Sequence, residues 1–469
     1  MKHQIHRRSF LQSTAAAVGA IALPNIIASR SWGQNAPSRK LNVALVGCGA
    51  RGGLDLQSAM QRNVNLIALC DADLARTQSI RATIAKAYPE GADMLAKAKS
   101  YQDYRELIAN EPSLDAVIIA VGPWWHVALS TAFMKAGKHV YCEKPLAHMV
   151  GEARALGELA KASKVVTQMG TQGVAGRDFR RSIEIVHAGL LGQVRELHVW
   201  ESTRGRPFEP SHARPEGEDK VPEGFNWDLW VGPKPMRPFK AKTYQHGCRL
   251  AMNWLDYGTG LLGDFGTHTW QLPIRALKLD YPTQVEHSLP EPVKETFVSS
   301  AKIRYQFAKR GELEPLTAWF YDAIHMPPPN ELLKEIEAYY KGPVKLGAVM
   351  VGENGWLYSG GWGGGNFMKL KGDNKMSSVL KHPAALALAQ TEPLNVKQDH
   401  MQEWIDACLG NGKTYQPFEV AAHSMEVILP GIVSLRIQRA IDWDGPNMCV
   451  PNAPEADQFI KPVYRTNWL

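Results

Sequence analysis

Val43–Gly53 reads VALVGCGARGG, an apolar run that opens into Gly47, Gly49 and Gly52 at G-x-G-x-x-G spacing. Leu41 to Val46 has the texture of a strand, and the residues after Gly52 that of a helix. In that setting the first glycine permits a tight turn, the second lets a pyrophosphate approach the backbone, and the third lets helix and strand pack closely. The helix N-terminus then presents its dipole to the phosphates. Nineteen residues beyond Gly52 a second apolar run, Leu66 to Cys70, ends in Asp71. A carboxylate at this place accepts hydrogen bonds from both hydroxyls of an adenosine ribose. With Asp73 beside it, it also repels a 2′-phosphate, which favours NAD over NADP, although Arg76 offers a phosphate one base to recruit. Gly47, Gly49, Ala50, Arg51, Gly52 and Asp71 are therefore the first cofactor-binding candidates.

Outward from this turn, short apolar runs alternate with longer amphipathic ones, the signature of βα units around a parallel sheet. Ala116 to Val121, His139 to Cys142 and Val165 to Met169 read as further strands; Leu74 to Tyr88, Val127 to Ala136 and Gly151 to Ala162 read as helices. Near Gly170 the texture changes. Helix Phe179 to His187 precedes strand candidates at Val194 to Ser202, Val293 to Phe307, Thr317 to Tyr321 and Leu346 to Val351, separated by loops, as in an open, mainly antiparallel sheet. Helices return at Val396 to Leu409 and Ala421 to Ile441. A chain of 469 residues exceeds the roughly 250–300 that one core usually supports. The expected fold is thus α/β: a Rossmann domain over 38–168, then an α/β domain over 169–469 with an open, mainly antiparallel sheet. Arg204 to Leu250, rich in Pro, Gly and Trp, is too long for a simple connector and reads as a functional loop. Gly360 to Gly365, GGWGGG, reads as a glycine-dense loop.

Residues 1–35 read as a processing segment. A basic start gives way to an uncharged stretch from Ala15 to Ile27, shorter than the about 20 residues that span a bilayer. Arg7-Arg8 followed by Ser9-Phe10-Leu11-Gln12 resembles a twin-arginine export signal, which implies the export machinery as a partner and a periplasmic destination. The formal charge of +7 falls to +3 once the four bases in residues 1–34 are set aside, so no nucleic-acid footprint remains. At 45% hydrophobic and 21% charged residues the composition excludes a disordered chain. Cys48, Cys70 and Cys142 each close an apolar run and are expected as buried thiols; the scattered Cys248, Cys408 and Cys449 support neither a metal site nor a redox pair.

Two more motifs follow: AVGPWWH (Ala120 to His126) after the fourth strand, and AGKHVYCEKPLA (Ala136 to Ala147), whose Glu143-Lys144-Pro145 falls where a fifth strand delivers residues to the crevice. Downstream stands GLLGDFGTH, Gly260 to His268. A lone lysine at a strand end is ordinarily a solvated charge, and Asp264 and His268 by spacing alone fit a helix cap and a core histidine. Taken together and in order, however, these motifs resemble the Gfo/Idh/MocA oxidoreductase family over about residues 40–445. The resemblance implies a Rossmann domain, an α/β domain whose open sheet mediates homo-oligomerisation, and Lys144, Asp264 and His268 beside the nicotinamide and the reacting hydroxyl. It also places Pro123, Trp124, His126, Glu143 and Lys144 against the cofactor. Trp124-Trp125 departs from the family pattern, and Gly173 stands where an arginine is common; Gln172 is the alternative lining residue.

Oxidising a secondary alcohol needs a base for the hydroxyl proton while hydride leaves for the nicotinamide, and histidine, with a pKa of about 6.5, suits that task. His268 is the candidate base, Asp264 the residue that orients it or holds the substrate, and Lys144 the stabiliser of developing alkoxide charge. Trp227, Trp230 and Trp254 offer indole faces for a sugar or serve as core. The expected activity is an exported, NAD-dependent oxidation of a sugar, glycoside or polyol hydroxyl with a retained, recycled cofactor. A glycosidase working by transient oxidation and elimination, and a non-catalytic carbohydrate-binding protein, stay open. Relatives with the glycosidase activity lack the Glu-Lys-Pro motif that this chain keeps.

Overall fold

The computed structural model describes residues 40–202, 213–244, 251–289, 293–297, 300–322, 330–393, 395, 397–466 and 468. The twin-arginine segment and Cys248 lie outside them, as does part of the long loop.

The first sheet holds six strands, all parallel: β1 (Leu41–Val46), β2 (Val64–Cys70), β3 (Lys99–Tyr101), β4 (Ala116–Ile119), β5 (His139–Glu143) and β6 (Thr167–Gly170), in the order β3-β2-β1-β4-β5-β6. The order reverses between β1 and β4, so a crevice opens at their carboxyl ends, as it does in doubly wound folds. The five strands expected in this domain coincide with β1, β2, β4, β5 and β6 to within two residues at each end; only the three-residue edge strand β3, too short to register as a run, was missed. β1 and β4 read as near-continuous apolar runs because helices cover both faces.

The second sheet has nine strands, β7 (Val194–Glu201), β8 (Gln284–Ser288), β9 (Ala301–Phe307), β10 (Leu316–Asp322), β11 (Leu346–Gly352), β12 (Gly355–Gly360), β13 (Phe367–Leu370), β14 (Ser377–Ser378) and β15 (Ile441–Asp442). They run in the order β14-β13-β12-β11-β7-β10-β9-β8-β15, with β7 and β10 the parallel pair and the other neighbours antiparallel. Burial alternates along β9, as expected for a sheet with unequal faces. Helix Gly266–Ala276 packs on β7 and β11 from one side. On the other, helix Asn330–Tyr340 sets Leu333 and Ile336 into a cluster with Trp200, Val349, Trp356 and Tyr358. The sheet's second face therefore carries a cover from its own chain.

The single C-terminal helix expected over Ala421 to Ile441 is two, Phe418–Ile428 and Pro430–Ile437, because Pro430 cannot donate to the ladder and starts a new helix instead. This run, 418–437, is apolar and long enough to cross a membrane, but 78% of its apolar 18-residue window lies buried against the rest of the protein. The chain also returns to the first domain: Met401, Trp404 and Ile405 join the core beneath Leu41, Val43 and Leu45. Cys48, Cys70 and Cys142 are buried free thiols, and burial pushes all three up in pKa.

Candidate active site

The turn after β1 is held by backbone contacts. Gly47 has φ +98°, and a Cβ there would lie 2.4 Å from the Ala120 carbonyl oxygen; one on Gly52 would lie 2.0 Å from the Gly47 oxygen. Both glycines are thus required by the close approach of main chain. Gly49 is different. Its Cβ would meet only an Arg76 guanidinium nitrogen at 3.8 Å, and it caps helix Ala50–Met60 with no side-chain cap and no acidic residue in the first turn. The helix N-terminus consequently opens onto a cavity, and a pyrophosphate fits that donor set. Across from it, Asp71 accepts hydrogen bonds from the Cys48 amide (2.7 Å) and the Asp73 amide (2.9 Å). Burial raises its pKa, opposed by those two amides. Each carboxylate oxygen retains acceptor capacity for a ribose hydroxyl, so the residues present fit a dinucleotide.

The same cleft, of about 750 Å³, extends from Gly47, Gly49, Ala50, Arg51 and Asp71 to Glu143, Lys144, Asp264 and His268. At its far end Lys144 and Asp264 form an ion pair, with the Lys144 ammonium 5.2 Å above the Phe265 ring. Asp264 ends helix Gly260–Asp264 and His268 stands in the first turn of helix Gly266–Ala276, so a break at Phe265 separates the two. The sequence expectation of Asp264 orienting the imidazole is corrected here: its carboxylate faces the amine. His268 is 5% exposed, and its Nε2 finds no hydrogen-bond partner among the described residues. Burial, reinforced by Lys144 and Arg51, holds its pKa well below the usual histidine range. It is a neutral imidazole on the cleft wall with a buried, unpartnered Nε2, the protonation state a general base requires.

Other expected contacts fall differently. The Arg51 guanidinium turns toward Asp55 and Glu143, with Nε 3.1 Å from Glu143 Oε1. Gln172 lines the cleft, donating to Glu143 Oε1 at 2.8 Å. Pro123 opens helix Pro123–Lys135 and does not line the cleft. Nor does His126, expected against the cofactor: it is fully buried, its ring between the Pro145 and Val121 carbonyl oxygens at 2.6 and 3.2 Å, and burial lowers its pKa to about 4. It ties the ends of β4 and β5 together from behind. Trp124 does line the cleft, folded over Gly122 and packed on Trp230 and Tyr257.

Two features escaped sequence reasoning. Within the long loop, residues 222–232 cross to the first domain: the Asn226 amide donates to Ala72 O (2.8 Å), the Leu74 amide to Gly224 O (3.2 Å), and Gln102 Nε2 to Gly224 O (2.9 Å). Phe225, Leu229 and Trp230 thereby roof the cleft beside Asp71. Of the three tryptophans singled out, only Trp230 lines it; Trp227 and Trp254 are core. The indole that reaches the reactive end is Trp362, from GGWGGG, with its ring centroid 4.5 Å from that of His268. The signal was present in that a large apolar residue among five glycines has no helix or strand to bury it.

Family models describe residues 41–171 as "Oxidoreductase family, NAD-binding Rossmann fold" and residues 180–313 as "Oxidoreductase family, C-terminal alpha/beta domain", both of Gfo/Idh/MocA type. The chain belongs to the Gfo/Idh/MocA oxidoreductase family. Curated relatives include a glycosyl hydrolase family 109 protein of a Shewanella species, 28% identical over 210 residues, which are 41% of this chain and 45% of that protein. The α-N-acetylgalactosaminidase of Shewanella oneidensis is 27% identical over the same length. The chain thus matches less than half the length of these relatives. Among solved structures, a levoglucosan dehydrogenase in complex with NADH superposes with TM-score 0.57 at 16% identity, covering 86% of this chain and 99% of that one. An inositol dehydrogenase homolog of Azotobacter vinelandii, complexed with NADH and myo-inositol, gives 0.57 at 18%, covering 87% and 99%.

Proposed function

We propose that this Gfo/Idh/MocA protein is an NAD-dependent oxidoreductase acting on a secondary hydroxyl of a sugar, glycoside or polyol, exported with its cofactor bound. One observation carries the reading: the Lys144–Asp264 pair and the unpartnered imidazole of His268 share a cleft with the glycine turn and Asp71. His268 takes the hydroxyl proton. Lys144, held by Asp264, stabilises negative charge as it develops on the oxygen. The nicotinamide supplies the hydride acceptor when bound. Asp71 and Asp73 favour NAD over NADP, and Arg76, the base a 2′-phosphate would need, lies with Nε 3.6 Å from Asp73 Oδ2.

The roof formed by residues 222–232 supports retention of the dinucleotide, since the adenosine end would have to leave past Phe225 and Leu229. Retention suits the export that Arg7-Arg8-Ser9-Phe10-Leu11-Gln12 favours, because free NAD is scarce outside the cytoplasm and a bound cofactor must be regenerated in place. Coupling one sugar's oxidation to another's reduction would do so. A second reading, cleavage of a glycoside by oxidation, elimination and reversal, is favoured by the curated relatives named above. The retained Lys144 tilts the balance to net oxidation.

Denaturing the purified protein should release stoichiometric NAD(H); an empty supernatant removes the closed cycle. Incubating the holoprotein with sugars and p-nitrophenyl glycosides separates the readings, through nicotinamide absorbance in one case and phenol release in the other. Lys144→Ala should lower hydride transfer by roughly a thousandfold while NAD stays bound; undiminished turnover would discard its role.

A further inference from the structure

The loop between β12 and β13 is built to hold one side chain. Trp362 is 53% exposed, yet everything around it is fixed. Its carbonyl oxygen fills the place of a side chain at Gly173, where a Cβ would lie 1.4 Å away. The Gly363 amide closes a turn onto Gly360 O at 2.8 Å, and a Cβ on Gly363, which has φ +84°, would press on Phe179. Asp178 accepts from the Gly365 amide at 2.9 Å, and the buried Asn366 side chain donates to Gly363 O and to Ser182. Backbone anchored at so many points does not leave a half-exposed indole adrift; it aims it. The indole leans on Phe265 edge-on, 5.7 Å between centroids, and is tilted 58° to the His268 ring at 4.5 Å. The remaining surface looks into the cleft it helps line.

We propose that Trp362 is the specificity platform of the site, stacking on the apolar C–H face of the six-membered ring that carries the reacting hydroxyl. The inference rests on the oxidoreductase reading and narrows its substrate class to cyclic sugars and cyclitols over open-chain polyols. The reasoning is geometric. A hydroxyl bound beside the His268 imidazole brings its ring within a few ångströms of an indole whose centre lies 4.5 Å from that imidazole. An indole gains contact area from a flat, preformed ring face and little from a flexible chain that must first be ordered. The polar lining residues Lys144 and Gln172 are left for ring hydroxyls.

Calorimetric binding of a panel of methyl pyranosides, myo-inositol and the open-chain sorbitol to the holoprotein tests this. Ring compounds should bind. Trp362→Ala should weaken them at least tenfold, and Trp362→Phe, which keeps a flat face, should recover most of the loss. Sorbitol binding should shift less than threefold, and NAD(H) released on denaturation should be the same from all three proteins, which controls for folding. Equal affinities in wild type and Trp362→Ala, an equal loss for sorbitol, or no ring compound binding at all would each overturn the assignment. A wild-type protein that binds rings through Trp362 but reduces no NAD would refute the oxidoreductase reading and leave the platform standing.

Discussion

At the turn from Gly47 to Gly52 the missing side chains leave a helix end bare and a space in front of it; at the turn from Gly360 to Gly365 they let a loop close tightly around one bulky residue. Both turns border the same cleft. In the first, main chain occupies the place of two Cβ atoms while the third, on Gly49, looks into open volume. In the second, the Cβ of Gly360 would meet the Gly364 oxygen at 2.3 Å, so the vacated space is filled by the loop's own main chain as it turns around Trp362. Glycine density therefore says little about what a loop binds. What decides is whether the vacated space belongs to a ligand or to the protein.

The largest expected effect breaks the cofactor side. Gly47→Ala places a side chain at positive φ against the Ala120 carbonyl, costing about 1 kcal/mol for conformation and about 2 for overpacking a strand that cannot yield. Denaturant unfolding should register that loss, and cofactor released on denaturation should fall with it. Gly173→Ala strikes the substrate side. Its Cβ meets the Trp362 carbonyl, which belongs to a loop, so about 2 kcal/mol of strain should appear mainly as a displaced indole. A several-fold higher KM for ring substrates, with undiminished NAD(H) content, is the outcome to seek in steady-state kinetics.

A smaller effect comes from behind the cleft. His126, at about 4 in the folded state, has a lower pKa than the about 6.5 of an unfolded histidine, so between these values the unfolded chain takes up a proton that the native ring refuses. Its contribution is fully present above pH 6.5 and drains away toward pH 4, by about 1.4 kcal/mol per pH unit. Unfolding curves at pH 7 and 5.5 should show it, and His126→Asn should flatten that slope. Least costly is Asp71→Asn, which exchanges one charged acceptor for a neutral one and should weaken NAD by about 1 kcal/mol, roughly fivefold. Titration of apoprotein with NAD and NADP would measure this and show whether discrimination relaxes at Arg76.

The cofactor half was legible because its determinants are local. A strand, three glycines, a helix and a carboxylate lie within 31 residues, Leu41 to Asp71, and each acts through its own backbone. The substrate half was legible only in its reactive groups. Asp264 and His268 were found, but their expected mutual contact was not, because helix Gly260–Asp264 ends before the helix that carries His268 begins at Gly266, and Lys144, 120 residues upstream, captures the carboxylate. His126 sits in a motif that predicted a ligand contact, and only packing shows both its nitrogens facing carbonyls of its own chain.

Sequence alone determined the two-domain α/β order, the dinucleotide turn and Asp71, since periodicity and turn chemistry are properties of neighbouring residues, while Lys144, Asp264 and His268 stood out only through the resemblance to a family. Tertiary structure decided which carboxylate meets which base, that residues 222–232 roof the Asp71 end of the cleft, and that Trp362 rather than Trp227 or Trp254 packs beside His268. These are contacts between segments far apart along the chain. Their formation depends on how two sheets and their connecting loops share space, and no stretch of sequence carries that information by itself.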